Sequence, residues 1–216
     1  MRRDDILKVA VLAGIAAAAL TMWVRYAGAP LDGDVKVARW IQDLDVLHRN
    51  AGLIDAFAPW QWVFAAIAVV MVTMGRRIGG GRVSGALQRE ALAAFAAGVL
   101  LRLSSDVLKE IVQSPRPDAS YGLTIDANFG GYGFPSGHVY GDCVVYGLLA
   151  VMAPAWVSPR FVPVVRAACV AIIVLAGPVR IVIGAHWPSD VLGGYLWGIA
   201  AVALATWFGR WVAQRR

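Results

Sequence analysis

Six stretches of this chain, near residues 7–24, 56–74, 91–112, 138–156, 161–183 and 191–208, are mostly apolar. A helix needs roughly 20 mostly apolar residues to cross the hydrocarbon core of a bilayer, and each stretch approaches or exceeds that length. In lipid the backbone N–H and C=O groups find no water, so a spanning segment must satisfy them internally, as a helix does. The six stretches take up most of the 216 residues and leave no room for a separate soluble domain. The expected fold is therefore all-α: a polytopic membrane protein with six transmembrane helices in one bundle, forming a single domain over residues 1–216. Charged residues make up 16% of the chain, against about 25% in a soluble domain, which agrees with that class.

The net charge of +6 does not point to nucleic acid here, because basic residues in a membrane protein mark cytoplasmic loops. Arg2, Arg3 and Lys8 at the start, Arg76, Arg77, Arg82 and Arg89 after the second stretch, Arg160 after the fourth, and Arg210, Arg215 and Arg216 at the end fall on one side if there are six crossings. Both termini are then expected in the cytoplasm. The loops after the first, third and fifth spans are expected to face outward. Arg2 and Arg3 before an apolar core, with Ala27-Gly28-Ala29 beyond it, have the outline of a signal peptide. Asp4, Asp5, Arg25 and Pro30 weigh against cleavage, so the first stretch is expected to be retained as a span. Cys143 and Cys169 lie inside spans, where cysteine acts as a small hydrophobe. Trp23, Trp156, Trp187, Trp207 and Trp211 lie near span ends, as interfacial anchors would. Within 30–55, Val35, Val37, Trp40, Ile41 and Leu44 are partly periodic and suggest a short surface helix. Gly194 and Gly198 form a GxxxG pair on the last span, which suits close helix packing and leaves a homo-oligomer contact open.

Several polar groups do not fit a plain set of spans. Lys109 and Arg116 follow the third span, in LKEIVQSPRP. Pro135-Ser136-Gly137-His138 opens the fourth. Arg180, His186 and Asp190 sit between the fifth and sixth, in VRIVIGAHWPSD. Parity of crossing puts all of them at one face of the membrane. Each has a structural reading alone: Lys109 as a cation at a helix C-terminus, Arg116 as a loop cation between two prolines, Ser136 as an N-cap, either histidine as a hydrogen-bonded structural group, Asp190 as a first-turn carboxylate after Pro188. Together they suit one task. Three cations fit a phosphate dianion. Ser136 and Gly137 open a helix, where free N–H groups favour an anion and glycine allows close approach. Two histidines supply a nucleophile and an acid. Asp190, four residues after His186, can hold one ring nitrogen and orient the other.

These residues form three ordered motifs: Lys, six residues, Arg-Pro (Lys109 to Pro117); PSGH (Pro135 to His138); and Arg, five residues, His, three residues, Asp (Arg180, His186, Asp190). The pattern resembles the type 2 phosphatidic acid phosphatase superfamily, which also includes bacterial nonspecific acid phosphatases and vanadium haloperoxidases. One position departs from it, since Val179 stands where the third motif carries serine; weaker phosphate binding or a substitute donor is expected. The resemblance implies dephosphorylation without metal or cofactor, through a phosphohistidine. His186 would be the nucleophile, Asp190 its orienting group, and His138 the acid and later the base. Lys109, Arg116, Ser136, Gly137 and Arg180 would bind phosphate. Asp142, outside the motifs and one turn below His138, either tunes that histidine or pairs within the bundle.

Membrane members of this family act on lipid phosphates and diphosphates held in the bilayer. An outward-facing site in a short six-span chain is similar to bacterial plasma-membrane enzymes that recycle undecaprenyl diphosphate, the leading expectation for the substrate. Phosphatidylglycerophosphate, phosphatidate and lipid A phosphates are the alternatives. Two other classes use a similar anion cage: a vanadate-dependent oxidase, against which six spans argue, and a noncatalytic lipid-phosphate binder or transporter, against which His186 and Asp190 argue.

Overall fold

The structure is a computed structural model in which residues 2–55, 66, 68–70, 72–77, 80–126 and 129–215 are described. Seven α-helices lie among them: α1 (Arg3–Ala27), α2 (Asp34–Gln42), α3 (Asp45–Asp55), α4 (Gly85–Val112), α5 (Gly137–Trp156), α6 (Val162–Val182) and α7 (Pro188–Gln214). Five of these, α1, α4, α5, α6 with its leading turn from Pro159, and α7, are long and apolar enough to cross a membrane. They coincide with five of the six expected spans. The remaining one, 56–74, lies largely outside the described residues. Ala68 and Val72, which are described, pack with Ala91, Ala94 and Phe95 near the start of α4.

Hydropathy finds the apolar middle of a span and misses its polar ends. Thus α4 begins six residues before its apolar stretch, at Gly85, because Ser84 caps it by accepting the Leu87 N–H at 3.3 Å. Such a cap satisfies one of the N–H groups that a helix start leaves unpaired. Similarly α7 opens with Pro188, whose fixed φ suits a first helical position and whose missing N–H is not needed there.

Helix α7 holds the bundle together, packing on α1, α4 and α5. It runs antiparallel to α1: Arg3 donates to the Gln214 amide oxygen at 3.0 Å, and the Trp197 indole N–H donates to Thr21 Oγ1 at 3.1 Å. It also runs antiparallel to α4, with Arg210 near its end bonded to Glu90 near the start of α4 at 3.2 Å. So α1 and α4 point the same way. The most enclosed span is α5, with 78% of its apolar window buried against 22–44% for the other four. Leu12, Ile15, Leu100, Val107, Val164 and Val174 are exposed on the outer helices, where a bilayer would cover them.

The close packing expected of Gly194 and Gly198 is found, and two other expectations, on the tryptophans and on residues 30–55, are corrected. Gly194 and Gly198 face α5 within the chain: a Cβ on Gly194 would lie 2.8 Å from the Ser136 carbonyl oxygen, and one on Gly198 would overlap Cys143 Cβ. That side of α7 is occupied and offers no surface to a second copy. Trp156 and Trp187 are not interfacial anchors. Trp156 is 6% exposed and meets Phe95 edge to face; Trp187 is fully buried, edge to face with Tyr121. Trp23 is exposed at the end of α1, where an anchor would lie. In the 30–55 segment the chain forms two helices rather than one. The inward face of α2 is Asp34, Ala38 and Ile41, while Val37 and Trp40 point outward. Its apolar residues lie on both faces, which blurs any single period.

Candidate active site

All eight candidate residues lie at one end of the bundle, where α4 and α6 finish and α5 and α7 begin. Lys109 is in the last turn of α4, and Arg116 is in the extended connection beyond it. Ser136, Gly137 and His138 open α5. Arg180 is in the last turn of α6, His186 in the following loop, and Asp190 in the first turn of α7. The parity argument from sequence already required this.

The geometry centres on His186, which is 3% exposed. Arg116 Nη1 lies 3.3 Å from its Nε2, and Asp190 Oδ2 lies 3.4 Å from its Nδ1. A guanidinium can only donate. Nε2 must therefore offer its lone pair, and the ring proton sits on Nδ1, facing the carboxylate. Asp190 is held as firmly as the ring. Its Oδ2 accepts the Trp187 N–H at 3.0 Å, and its Oδ1 accepts the Ser114 hydroxyl at 3.4 Å. Arg116 is pinned by three carbonyls: its Nε donates to Gly130 and Gly131 at 3.2 and 3.1 Å, and its Nη1 to Ala185 at 2.6 Å.

The opening of α5 is tied to the same carboxylate residue, because the Ser136 N–H donates to the Asp190 backbone carbonyl at 2.9 Å. The Ser136 hydroxyl is fully buried and has no hydrogen-bond partner among the described residues. A buried hydroxyl without a partner is costly, and an anion at the helix start would relieve it. A Cβ on Gly137 would approach Lys109 Nζ at 3.6 Å, so the ammonium group stands directly over the first residue of α5. His138 is exposed. Arg180 is 6% exposed, and its carbonyl accepts the N–H groups of Ala185 and His186.

Several contributors were missed in the sequence. Gly133 is required beside the carboxylate, since a Cβ there would lie 2.6 Å from Asp190 Oδ2. Ser114 and Trp187 hold Asp190. Helix α2 braces the His186 loop at both ends: Asp34 accepts the Ser189 N–H at 2.9 Å and its hydroxyl at 2.7 Å, while Gln42 donates to the carbonyls of Ile181 and Val182 at 3.2 and 3.1 Å. Nothing local in the sequence signals this brace. Arg102 also reaches this end, and its signal was present: it stands seven residues, two helical turns, before Lys109. Val179 sits in an apolar cluster with Ala38, Ile41 and Trp187, so a hydroxyl there would point into that cluster. Asp142 is buried within the bundle with Oδ1 unpartnered, and no hydrogen bond joins it to His138 among the described residues.

Burial, with Arg116, Lys109, Arg180 and His138 around it, holds the His186 imidazole well below the ordinary value. Charging it there would desolvate a cation beside other cations. We expect ¹⁵N spectra at pH 6 to show a neutral His186 ring protonated on Nδ1; an imidazolium at that pH would contradict the geometry. The stability consequence has a definite sign. Below about 6.5 the unfolded chain takes up a proton that the folded chain refuses. The contribution of His186 to stability is thus full above that value and declines as the pH falls.

The chain is similar to known proteins in sequence and in fold. The family model described as the PAP2 superfamily matches residues 90–214. The chain is 31% identical over 102 residues to a lipid A 1-phosphatase of Rhizobium johnstonii, covering 44% of this chain and 38% of that protein. It is 31% identical over 119 residues to phosphatidylglycerophosphatase B of Bacillus subtilis, covering 53% and 56%. The alignments thus span about half or less of these relatives. The crystal structure of a transmembrane PAP2-type phosphatidylglycerolphosphate phosphatase from Bacillus subtilis superposes with a TM-score of 0.75 at 20% identity, over 96% of this chain and 99% of that one. At that identity the likeness speaks for the fold. With a family model that spans more than half of its residues, including every candidate residue from Lys109 to Asp190, the chain belongs to the PAP2 superfamily.

Proposed function

We propose that this chain, acting as a single domain, removes a phosphoryl group from a membrane lipid phosphate or diphosphate through a phosphohistidine at His186, without a metal. The His186 ring carries this reading: its lone pair points at a guanidinium 3.3 Å away, and a buried carboxylate holds its proton side. A phosphoryl group drawn between Arg116 and His186 would replace the guanidinium at that lone pair. Nε2 then attacks phosphorus as the bond to the leaving oxygen breaks. Lys109, Arg116 and Arg180 neutralise the transferring oxygens, together with the Ser136 hydroxyl and the opening N–H groups of α5 at Gly137. His138 gives its proton to the leaving oxygen. It later takes a proton from the water that splits the N–P bond and frees His186. A site built of cations repels a divalent ion rather than holding one.

A lipid phosphate follows from the family. Undecaprenyl diphosphate is the leading substrate; phosphatidylglycerophosphate and lipid A phosphate, suggested by the names of the relatives, and phosphatidate are the alternatives. The site is assigned to the outer face of a bacterial plasma membrane, with both termini cytoplasmic. Supporting this, Arg82, Arg89, Arg160 and Arg210 lie at the bundle end away from His186. The apolar outer helices would let the tails stay in lipid while the head group enters. Purified protein should release phosphate from at least one of these four lipids with chelator present, and vanadate should inhibit it. Release from none of them, or an obligatory need for a divalent ion, would overturn the reading.

A further inference from the structure

Beyond the motif residues, a fourth cation stands at the site. Arg102 and Lys109 are two turns apart on one face of α4, and both side chains rise to the start of α5. A Cβ on Gly137 would lie 3.4 Å from Arg102 Nη2, 3.6 Å from Lys109 Nζ and 3.8 Å from Ser105 Oγ. Two cations thus share one small space. Arg102 Nη1 donates to the neutral Ser105 hydroxyl at 2.8 Å. Its ion partner, Asp106, is 3.7 Å away and 66% exposed. Arg102 Nε is buried with no hydrogen-bond partner among the described residues. A guanidinium held this way on a membrane span is costly and points to function.

The side on which it stands is informative. Arg102 and Lys109 meet the start of α5 at Gly137, the residue before His138, whereas Arg180 leads into the His186 loop, its carbonyl accepting the His186 N–H at 3.2 Å. Arg180 therefore belongs to the nucleophile side and Arg102 to the His138 side, with Lys109 and Arg116 between them. In the function proposed above, on which this inference rests, His138 faces the leaving oxygen. An alcohol leaving group offers a guanidinium nothing at that place. A phosphate offers two charged oxygens that match its paired donors.

We propose that Arg102 and Lys109 form a leaving-side subsite for a second phosphate, so that the substrate is a lipid diphosphate. His186 Nε2 bonds to the terminal phosphorus as the bridging P–O bond breaks. The electron pair departs on the lipid monophosphate, held by Arg102, and its oxygen receives the His138 proton. Water then cleaves the N–P bond, returning a proton to His138 and releasing orthophosphate.

The test compares a prenyl diphosphate with the prenyl monophosphate of the same chain length, and with phosphatidylglycerophosphate, whose second phosphate is a glycerol away. Losing a charged, paired hydrogen bond should cost about tenfold to a hundredfold. Arg102→Met should lower kcat/KM for the diphosphate by that factor relative to the monophosphate measured in the same preparation, and Arg102→Lys should recover part of it. Methylenediphosphonate should inhibit the unaltered protein more strongly than orthophosphate, and Arg102→Met should narrow that gap. Equal losses on diphosphate and monophosphate would overturn the subsite while leaving the phosphatase reading in place. A selective loss on phosphatidylglycerophosphate alone would overturn the diphosphate assignment. If the unaltered protein releases phosphate from none of these lipids, both proposals fall.

Discussion

His186→Ala is expected to abolish the phosphoenzyme, and with it turnover, on every substrate. A nucleophile is needed whatever group leaves, and among the described residues the His186 imidazole is the group whose lone pair lies beside Arg116. His138→Ala should behave differently, because an acid matters most when the leaving oxygen is a poor one. With a lipid monophosphate, whose alkoxide leaves badly, turnover should fall by roughly 10²–10⁴-fold. With a nitrophenyl phosphate the phosphoenzyme should still form at a substantial rate. It should then accumulate, because the water that hydrolyses it lacks its base. Rapid-quench trapping with labelled substrate separates the two steps. An acid-labile phosphoenzyme in the His186 variant, and none in the His138 variant, would reverse the assigned roles.

The second large effect is expected at Asp190. Its carboxylate accepts from three groups at once: the His186 ring, the Trp187 N–H and the Ser114 hydroxyl. Asp190→Ala removes both acceptor oxygens, and with them all three contacts, and lets the imidazole turn or change tautomer. Loss of such an orienting carboxylate costs on the order of 10⁴-fold in related catalytic arrangements. The buried Trp187 N–H would also lose its partner, at a cost of about 1–3 kcal/mol, so thermal unfolding in detergent should shift downward. Asp190→Asn should be milder for stability, and for activity as far as its oxygen keeps the His186 tautomer. Its amide oxygen can stay with Trp187 and His186 while its NH₂ group turns to Ser114, whose hydroxyl can accept as well as donate. Equal losses in phosphoenzyme formation for the two variants would show that charge, not orientation, is what His186 needs.

Much of this molecule is written locally. The apolar stretches predict five described helices because a bilayer leaves a spanning segment no other way to satisfy its backbone. Counting crossings puts Lys109, Arg116, Ser136, His138, Arg180, His186 and Asp190 at one end without any coordinates. Residue type and spacing then point to phosphate chemistry, since cations, a helix start and a histidine–carboxylate pair four residues apart all suit an anion undergoing attack.

Other features are decided by contacts between distant segments. Trp187 reads as an interfacial anchor in isolation, yet Tyr121 and the carbonyl of Pro115 enclose it. The Gly194/Gly198 pair suits close helix packing and leaves an intermolecular contact open, until Ser136 and Cys143 of α5 fill it. The α2 brace depends on Asp34 meeting Ser189 across 155 residues, and no periodicity encodes that. What the sequence by itself determined is the class, the spans and the chemical inventory of the site, because hydrophobic length and residue chemistry are local properties. Only the tertiary structure decided which nitrogen of His186 carries the proton, what holds Asp190, and that Arg102 stands beside Lys109. Those depend on angstrom-scale distances between helices that the chain order does not contain.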